Sequence, residues 1–173
     1  MSEKDLNQSS RRPSSWIRVL VYGLLPGVAL LLAMGSGFLK FRDASARSAE
    51  VSRVESVQAA SQGTIKMLTY RPDTVEQELD AARDLMTGAL WDSYGSFTHD
   101  VVMPGAKEKK ISAVATVPAA ASVSAGSNHA VVLVFVNQTT TVGAESPTNL
   151  ASSVRVSLEK VNGRWLMSAF DPI

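Results

Sequence analysis

Residues 153–170 read SVRVSLEKVNGRWLMSAF, and this stretch decides the fold of the chain. Its first half alternates between apolar and polar side chains, a period of two that predicts a strand with one buried face. Asn162-Gly163 is a strong signal for a type I′ hairpin turn, because both residues tolerate the positive φ angles that this turn requires. The stretch therefore predicts two antiparallel strands, Ser153–Val161 and Arg164–Phe170.

Two further strand candidates precede this hairpin. Residues 130–142, AVVLVFVNQTTTV, are rich in β-branched side chains, and their unbroken apolar centre predicts a strand buried on both faces. Residues 111–123 form the other candidate, which Pro118 makes irregular or places at a sheet edge because proline has no N–H to donate. The second half of the chain thus predicts an antiparallel meander of four strands.

The region before residue 111 has a helical period instead. Apolar residues recur at helical spacing in a first amphipathic helix, which ends at Tyr70-Arg71-Pro72 because the residue before proline avoids the helical region. The residues of this apolar stripe are Val51, Val54, Val57, Ile65 and Leu68. Helices followed by an antiparallel meander predict an α+β domain, with the helices packed on one face of the sheet.

Two shorter helices follow. Asp73 is expected to cap the first of them, with Glu76 as its capping-box partner. Thr87 is expected to cap the second, and Met103-Pro104-Gly105 to stop it. One face of this second helix carries the apolar residues Leu90, Tyr94, Phe97 and Val101.

An uncharged run precedes the domain. Residues 19–39, VLVYGLLPGVALLLAMGSGFL, are long enough as a helix to span a bilayer. A cleavable signal peptide ending at Ala44-Ser45-Ala46 is the alternative, but its apolar core would be unusually long. Gly23 and Gly27 form a G-x-x-x-G spacing that suits packing between membrane helices. The predicted organisation is a disordered cytoplasmic tail (1–15), a transmembrane helix (16–40), an amphipathic stalk helix (41–70) and an extracytoplasmic α+β domain (71–173).

Composition excludes several classes of function. The chain has no cysteine, which rules out disulfides and thiolate metal sites. Residues 1–42 contain six Lys or Arg residues and two Asp or Glu residues. Residues 43–173 contain eleven Lys or Arg residues and fourteen Asp or Glu residues. The domain is therefore acidic by three charges and lacks the basic patch that a nucleic-acid-binding surface needs.

No catalytic, cofactor-binding or metal-binding residue is predicted. His99 and His129 are the only histidines and lie on different predicted elements, so a metal site would need carboxylates from elsewhere. Asp92 and Asp100, with Tyr94 between them, could serve proton transfer, but carboxylates on a helix usually form its solvated face. Asn137-Gln138-Thr139 has the form of a glycosylation acceptor inside a predicted strand.

The chain resembles the Mce-associated membrane proteins, accessory proteins of actinobacterial mammalian-cell-entry lipid importers. The resemblance is carried by the single anchor and four motifs in order: LTYRPD (68–73), LMTGALWDSYGSF (85–97), VLVFVNQTTT (132–141) and VNGRWLMSAFDPI (161–173). It implies a cone-shaped domain of the nuclear-transport-factor-two-like class, with a curved sheet wrapped around helices. In such a cone, five aromatic residues would form core or line an apolar pocket: Trp91, Tyr94, Phe97, Trp165 and Phe170.

The resemblance also implies a function. The chain would be a non-catalytic accessory subunit without a cofactor, which anchors and stabilises a Mce-type lipid or sterol import complex. Its partners would be the bilayer and transporter subunits or related envelope proteins, and a lipid is a further candidate ligand. The alternatives are an extracytoplasmic lipid-binding domain and a membrane-tethered enzyme of the same fold.

Overall fold

The structure is a computed structural model that describes residues 49–173. The predicted tail, the predicted membrane helix with Gly23 and Gly27, and the first residues of the predicted stalk lie outside the described residues. Between residues 49 and 173, no helix is both long and apolar enough to cross a membrane.

The helices come first in the chain. They are α1 (residues 49–68), α2 (Val75–Arg83), α3 (Gly88–Phe97) and α4 (Met103–Lys109), with a π-helical turn at Thr98–Val102 between α3 and α4. The strands follow as β1 (Ile111–Ala125), β2 (His129–Val142), β3 (Thr148–Val161) and β4 (Arg164–Pro172). They form one antiparallel sheet in the order β1-β2-β3-β4, which confirms the predicted α+β class with a four-stranded meander.

The local turn signals of the sheet are also confirmed. Asn162 and Gly163 both have positive φ angles, 51° and 81°, as a type I′ turn requires. β1 lies at a sheet edge, and its register shifts between Thr116 and Ala119, on either side of Pro118. Proline cannot complete the ladder, so the strand bulges at this residue.

The prediction that β2 is buried on both faces is wrong. Val132, Val134 and Val136 are buried, whereas Leu133 is half-buried and Phe135 is 42% exposed. The helices cover only one face of the sheet, so β2 alternates between a covered and an open side even though its apolar run is unbroken. The core lies between this covered face and the helices.

α1 packs on the sheet mainly through small residues, and Val57 and Leu68 of the predicted apolar stripe also pack against the core. Its buried positions include Ser52, Ser56, Ala60 and Thr64, whereas Val51 and Val54 are more than half exposed. Small side chains allow the helix backbone to approach the sheet closely. Gly63 also packs tightly, since a Cβ there would lie 2.8 Å from the Met167 sulfur of β4. The predicted stripe is therefore right at Val57 and Leu68 and wrong at Val51 and Val54, which are exposed.

The predicted capping box at Asp73 and Glu76 is absent. The N-cap of α2 is Thr74, and it makes no side-chain capping bond. Glu78 bonds the preceding segment instead: its carboxylate accepts from the Arg71 backbone N–H at 2.7 Å and from the Arg71 guanidinium at 2.8 Å. Glu76 forms an ion pair with Lys107 of α4 instead: Lys107 Nζ lies 2.6 Å from the Glu76 carboxylate.

The prediction that Met103-Pro104-Gly105 stops a helix is also wrong. Thr87 is the N-cap of α3, as predicted, although it makes no side-chain capping bond. The chain then stays helical through the π-helical turn and into α4, where Pro104 lies in the first turn. Proline is tolerated there because the first N–H groups of a helix have no intrahelical partner. Phe97 and Val101 are exposed, because the buried face of this stretch passes through Tyr94, Gly95 and Thr98 instead.

Candidate interaction site

A polar cluster joins α1 to the hairpin between β3 and β4. The Glu55 carboxylate accepts a hydrogen bond from Lys160 Nζ at 2.8 Å and another from Trp165 Nε1 at 3.1 Å. The Lys160 ammonium also lies 5.3 Å from the centre of the Trp165 ring, within the range of a cation–π contact. One carboxylate, in a side chain that is 46% exposed, thus links α1 to two residues of the hairpin that lie more than a hundred positions away.

The contacts of this cluster favour the ionised carboxylate. The hydrogen bond from Lys160, followed by the one from Trp165, holds the pKa of Glu55 below its usual value. A lowered pKa in the folded state means that Glu55 stabilises the fold above the pKa it has in the unfolded chain. That stabilisation is lost as the pH falls through the folded-state pKa.

Replacing Glu55 with Gln should therefore lower the melting temperature at pH 7 and reduce the loss of stability under acid. Thermal melts of the purified full chain between about pH 3 and pH 7 measure both effects. Glu50→Gln is the matched control on α1, because the Glu50 carboxylate lies 3.5 Å from the exposed Arg53 guanidinium and is not part of the cluster. If Glu55→Gln and Glu50→Gln gave the same pH profile, the cluster would not fix α1.

A groove of about 320 Å³ opens beside this cluster, between α1, the connection from α2 to α3, and the hairpin. Its lining mixes the amides of Gln58 and Gln62 and the Arg164 guanidinium with apolar surface from Leu85 and Trp165. Amides both donate and accept hydrogen bonds, and exposed apolar surface gains from burial. This combination suits an extended polypeptide segment, which presents backbone polar groups and side chains together.

Backbone pairing holds the groove wall in place. Met167 N donates to Leu85 O at 2.9 Å, and Thr87 N donates to Met167 O at 2.9 Å. These two bonds fix the connection between α2 and α3 against β4. The quoted motifs at residues 85–97 and 161–173 therefore meet at this groove.

A second aromatic–cation pair lies on the outside of the helices. The Arg83 guanidinium stacks 3.4 Å from the centre of the Trp91 ring, and its Nε donates to Trp91 O at 3.0 Å. Arg83 can lie flat there only because Gly95 has no side chain; a Cβ at residue 95 would contact the guanidinium. Arg83 and Trp91 thus connect α2 with α3 on either side of the connection that contributes Leu85 to the groove.

No protein-family model matches the chain. It is, however, 60% identical over 159 residues to outer membrane protein Rv1973 of Mycobacterium tuberculosis, across 92% of this chain and 99% of that protein. The chain belongs to the Rv1973 family. It is also 34% identical over 180 residues to the M. tuberculosis protein Rv1362c, across 99% of this chain and 81% of that one.

Solved structures share the fold at low sequence identity. An IcmL-like type IV secretion system protein from Legionella pneumophila matches with a TM-score of 0.60 and 10% identity, over 70% of this chain and 93% of that one. The periplasmic domain of DotI matches with a TM-score of 0.57 and 20% identity, over 68% of this chain and 91% of that one. VirB8 of Agrobacterium tumefaciens matches with a TM-score of 0.54 and 14% identity, over 67% of this chain and 88% of that one. The Rv1973 family member therefore has the fold of these secretion-system domains.

The five aromatic residues named from the sequence do not share one site in this Rv1973 family member. Tyr94 and Trp165 are buried, and Phe170 packs against the core. Trp91 and Phe97 lie on the surface, 41% and 58% exposed, because the buried face of α3 passes through Tyr94 and Gly95 instead. Of the five, Trp165 lines the groove beside Glu55.

The remaining candidate residues for chemistry are separated. The Tyr94 hydroxyl donates to Met67 O at 3.1 Å, and burial raises its pKa, so the phenol stays protonated. His99 Nδ1 lies 3.1 Å from Oδ1 of its exposed neighbour Asp100, while His129 lies in β2 opposite Glu159. Within residues 49–173, no three His, Asp or Glu side chains converge as metal ligands would.

Glu55 and Lys160 were not identified from the sequence. Each is a charged residue in an amphipathic element, where charge normally marks the solvated face. Only the antiparallel register, which brings Lys160 opposite Trp165, and the path of α1 place them together. No local pattern could have identified this pair.

Proposed function

We propose that the chain is a non-catalytic subunit of a cell-envelope complex, which a membrane helix anchors and which acts by binding a protein partner in the groove beside Glu55. The groove carries the proposal: it is open, it mixes amide and apolar surface, and its walls are fixed by the Glu55 cluster and the Leu85–Met167 pairing. A segment of a partner protein can bind there without rearrangement of the fold.

The comparisons support the envelope location. One family member is named an outer membrane protein, and the structures with this fold include a periplasmic domain and type IV secretion proteins. The uncharged run at residues 19–39 supports a single anchor, and the periplasmic location of the DotI domain supports an extracytoplasmic domain. The finer proposal, from the resemblance, is that the partner belongs to a Mce-type lipid import complex.

The resolved pKa shifts of the carboxylates in residues 49–173 are all downward. A membrane-tethered enzyme of this fold would use a carboxyl whose pKa is raised by burial. Glu55, Glu76 and Glu78 shift in the opposite direction, since each accepts hydrogen bonds from a basic residue. At Glu78 burial raises the pKa, but the hydrogen bonds from Arg71 outweigh it.

Affinity isolation of the full chain from membranes tests the proposal. The wild-type chain should co-isolate envelope proteins, and Gln58→Arg with Gln62→Arg should lower their recovery several-fold, because two bulky cations would fill the groove. Gln77→Arg is the matched control, an exposed glutamine on α2 outside the groove lining. Thermal melts of both variants should match the wild type.

Two results would contradict this function. If no envelope protein is enriched over an unrelated anchored protein, the chain is not a contact subunit. If the groove variant recovers the same partners as Gln77→Arg, the partner binds elsewhere. The finer proposal has its own test. Deletion of the chain should lower the steady-state level of Mce-type subunits. Unchanged levels would contradict the proposal that the partner belongs to a Mce-type complex.

A further inference from the structure

The two edges of the sheet differ in how the rest of the chain covers them. At β4, the outer edge pairs with the connection between α2 and α3 through Met167. At the start of β1, Tyr70 and Ala113 exchange two backbone hydrogen bonds of 2.9 Å, and Ala115 N donates to Thr69 Oγ1 at 3.0 Å. The first half of β1 is therefore covered by the connection between α1 and α2.

The second half of β1 has no such cover. In the part of the chain that the structure describes, residues 117–125 make no backbone hydrogen bond to any segment other than β2. None of these residues is buried. A run of unpaired backbone N–H and C=O groups at an edge is a template for pairing with another strand.

The composition of this edge indicates its partner. Residues 111–144 contain no Asp, Glu, Lys or Arg, and residues 119–125 are Ala, Ser and Val alone. Proteins usually protect an exposed edge with charges, as β4 does with Arg164 and Asp171. In antiparallel self-pairing about a two-fold axis, every charge near the axis would meet its own copy, and like charges opposite each other are destabilising. A charge-free edge with small side chains avoids that repulsion and lets two identical strands approach.

We propose that the uncovered half of β1 pairs antiparallel with the same strand of a second copy of this chain, which joins two four-stranded sheets edge to edge. The register of β1 shifts between Thr116 and Ala119 and again between Ser122 and Ser124, so the regular stretch of this half is 119–122, and the two-fold axis passes near Ala121 within it. Pro118 lies away from the axis, where its missing N–H removes a bond only at each end of the paired segment. This association uses a different surface from the groove beside Glu55, so the dimer and its partner can bind independently.

Single cysteines test the register, because the chain has no cysteine of its own. Cysteines are placed one at a time from residue 119 to residue 123 in the purified full chain, in detergent, under mild oxidation. Disulfide-linked dimer should form at one or two adjacent positions near 121. Leu150→Cys is the control, since Leu150 is 62% exposed but lies on the inner strand β3.

A charge tests the association itself. Ala121→Lys should weaken the dimer, measured by analytical ultracentrifugation, by at least about tenfold in dissociation constant. Ala151→Lys should leave it unchanged, because Ala151 is an equally exposed alanine on β3. Equal thermal melts of the two variants show that both remain folded. A monomeric wild-type chain overturns the proposal. The proposal is also overturned if Ala121→Lys leaves the dissociation constant of the dimer unchanged and a cysteine at residue 121 cross-links no better than one at residue 150.

Discussion

Replacing Leu158 with Ala should lower the free energy of unfolding by about 2–5 kcal/mol, the range for deleting a large buried side chain. Leu158 is fully buried on β3 and belongs to the core between the sheet and the helices. The smaller side chain loses hydrophobic burial and leaves a cavity that the sheet cannot close. Urea denaturation of the purified full chain, followed by circular dichroism, measures the change.

Leu150→Ala is the control on the same strand. Leu150 is 62% exposed, so its truncation should change the free energy of unfolding by less than about 0.5 kcal/mol. Similar losses for the two variants would show that β3 is not covered on the face that carries Leu158.

Replacing Gly63 with Leu should cost about 2 kcal/mol or more, because overpacking a filled core forces side chains off their preferred geometry. Even a Cβ at this residue would lie 2.8 Å from Met167 Sδ and 2.9 Å from Cε, and Met167 is 1% exposed. Leucine favours helices over glycine, so a net loss would come from the contact with the sheet and not from α1 itself. Thermal melts of the full chain provide the measurement.

Gly105→Leu and Met167→Ala complete this test. Gly105 is also helical, but a Cβ there meets nothing within 4 Å, so its replacement should leave stability unchanged or raise it by up to about 1 kcal/mol. Adding Met167→Ala to the Gly63→Leu protein should restore part of the lost stability, because the shorter side chain leaves room for the leucine. A Gly63→Leu protein as stable as the wild type would mean that α1 does not pack closely on β4.

Local patterns were enough to predict most of the sheet. The alternation around Val156 and the Asn162-Gly163 turn are signals within ten residues of one another, and both correspond to what the structure shows. Pro118 likewise predicted the irregular edge, because the missing N–H acts at its own position.

Features that depend on distant partners could not be predicted from local patterns. Whether Leu133 and Phe135 are covered depends on where the helices lie, which the period of β2 does not encode. The face of α1 that packs inward is chosen by the space beside Met167, so Gly63 and its small neighbours lie inside and Val54 outside. The hydrophobic pattern alone placed Val51 and Val54 inside, although Val57 and Leu68 of the same stripe do pack against the core.

The candidate site was the least predictable part. Of its residues only Trp165 was named from the sequence, as core or pocket. Glu55 and Lys160 meet across more than a hundred residues, and Gln58 and Gln62 carry no signal beyond being polar on a helix. The groove exists only because α1, the connection between α2 and α3, and the hairpin converge.

The most direct test of this account compares partner recovery between the groove variant, Gln58→Arg with Gln62→Arg, and Gln77→Arg, both as full chains in membranes. The account predicts that envelope proteins recovered with the Gln77→Arg protein are depleted several-fold with the groove variant while both chains melt alike. Equal recovery by two equally folded proteins would contradict the assignment of the groove as the contact surface.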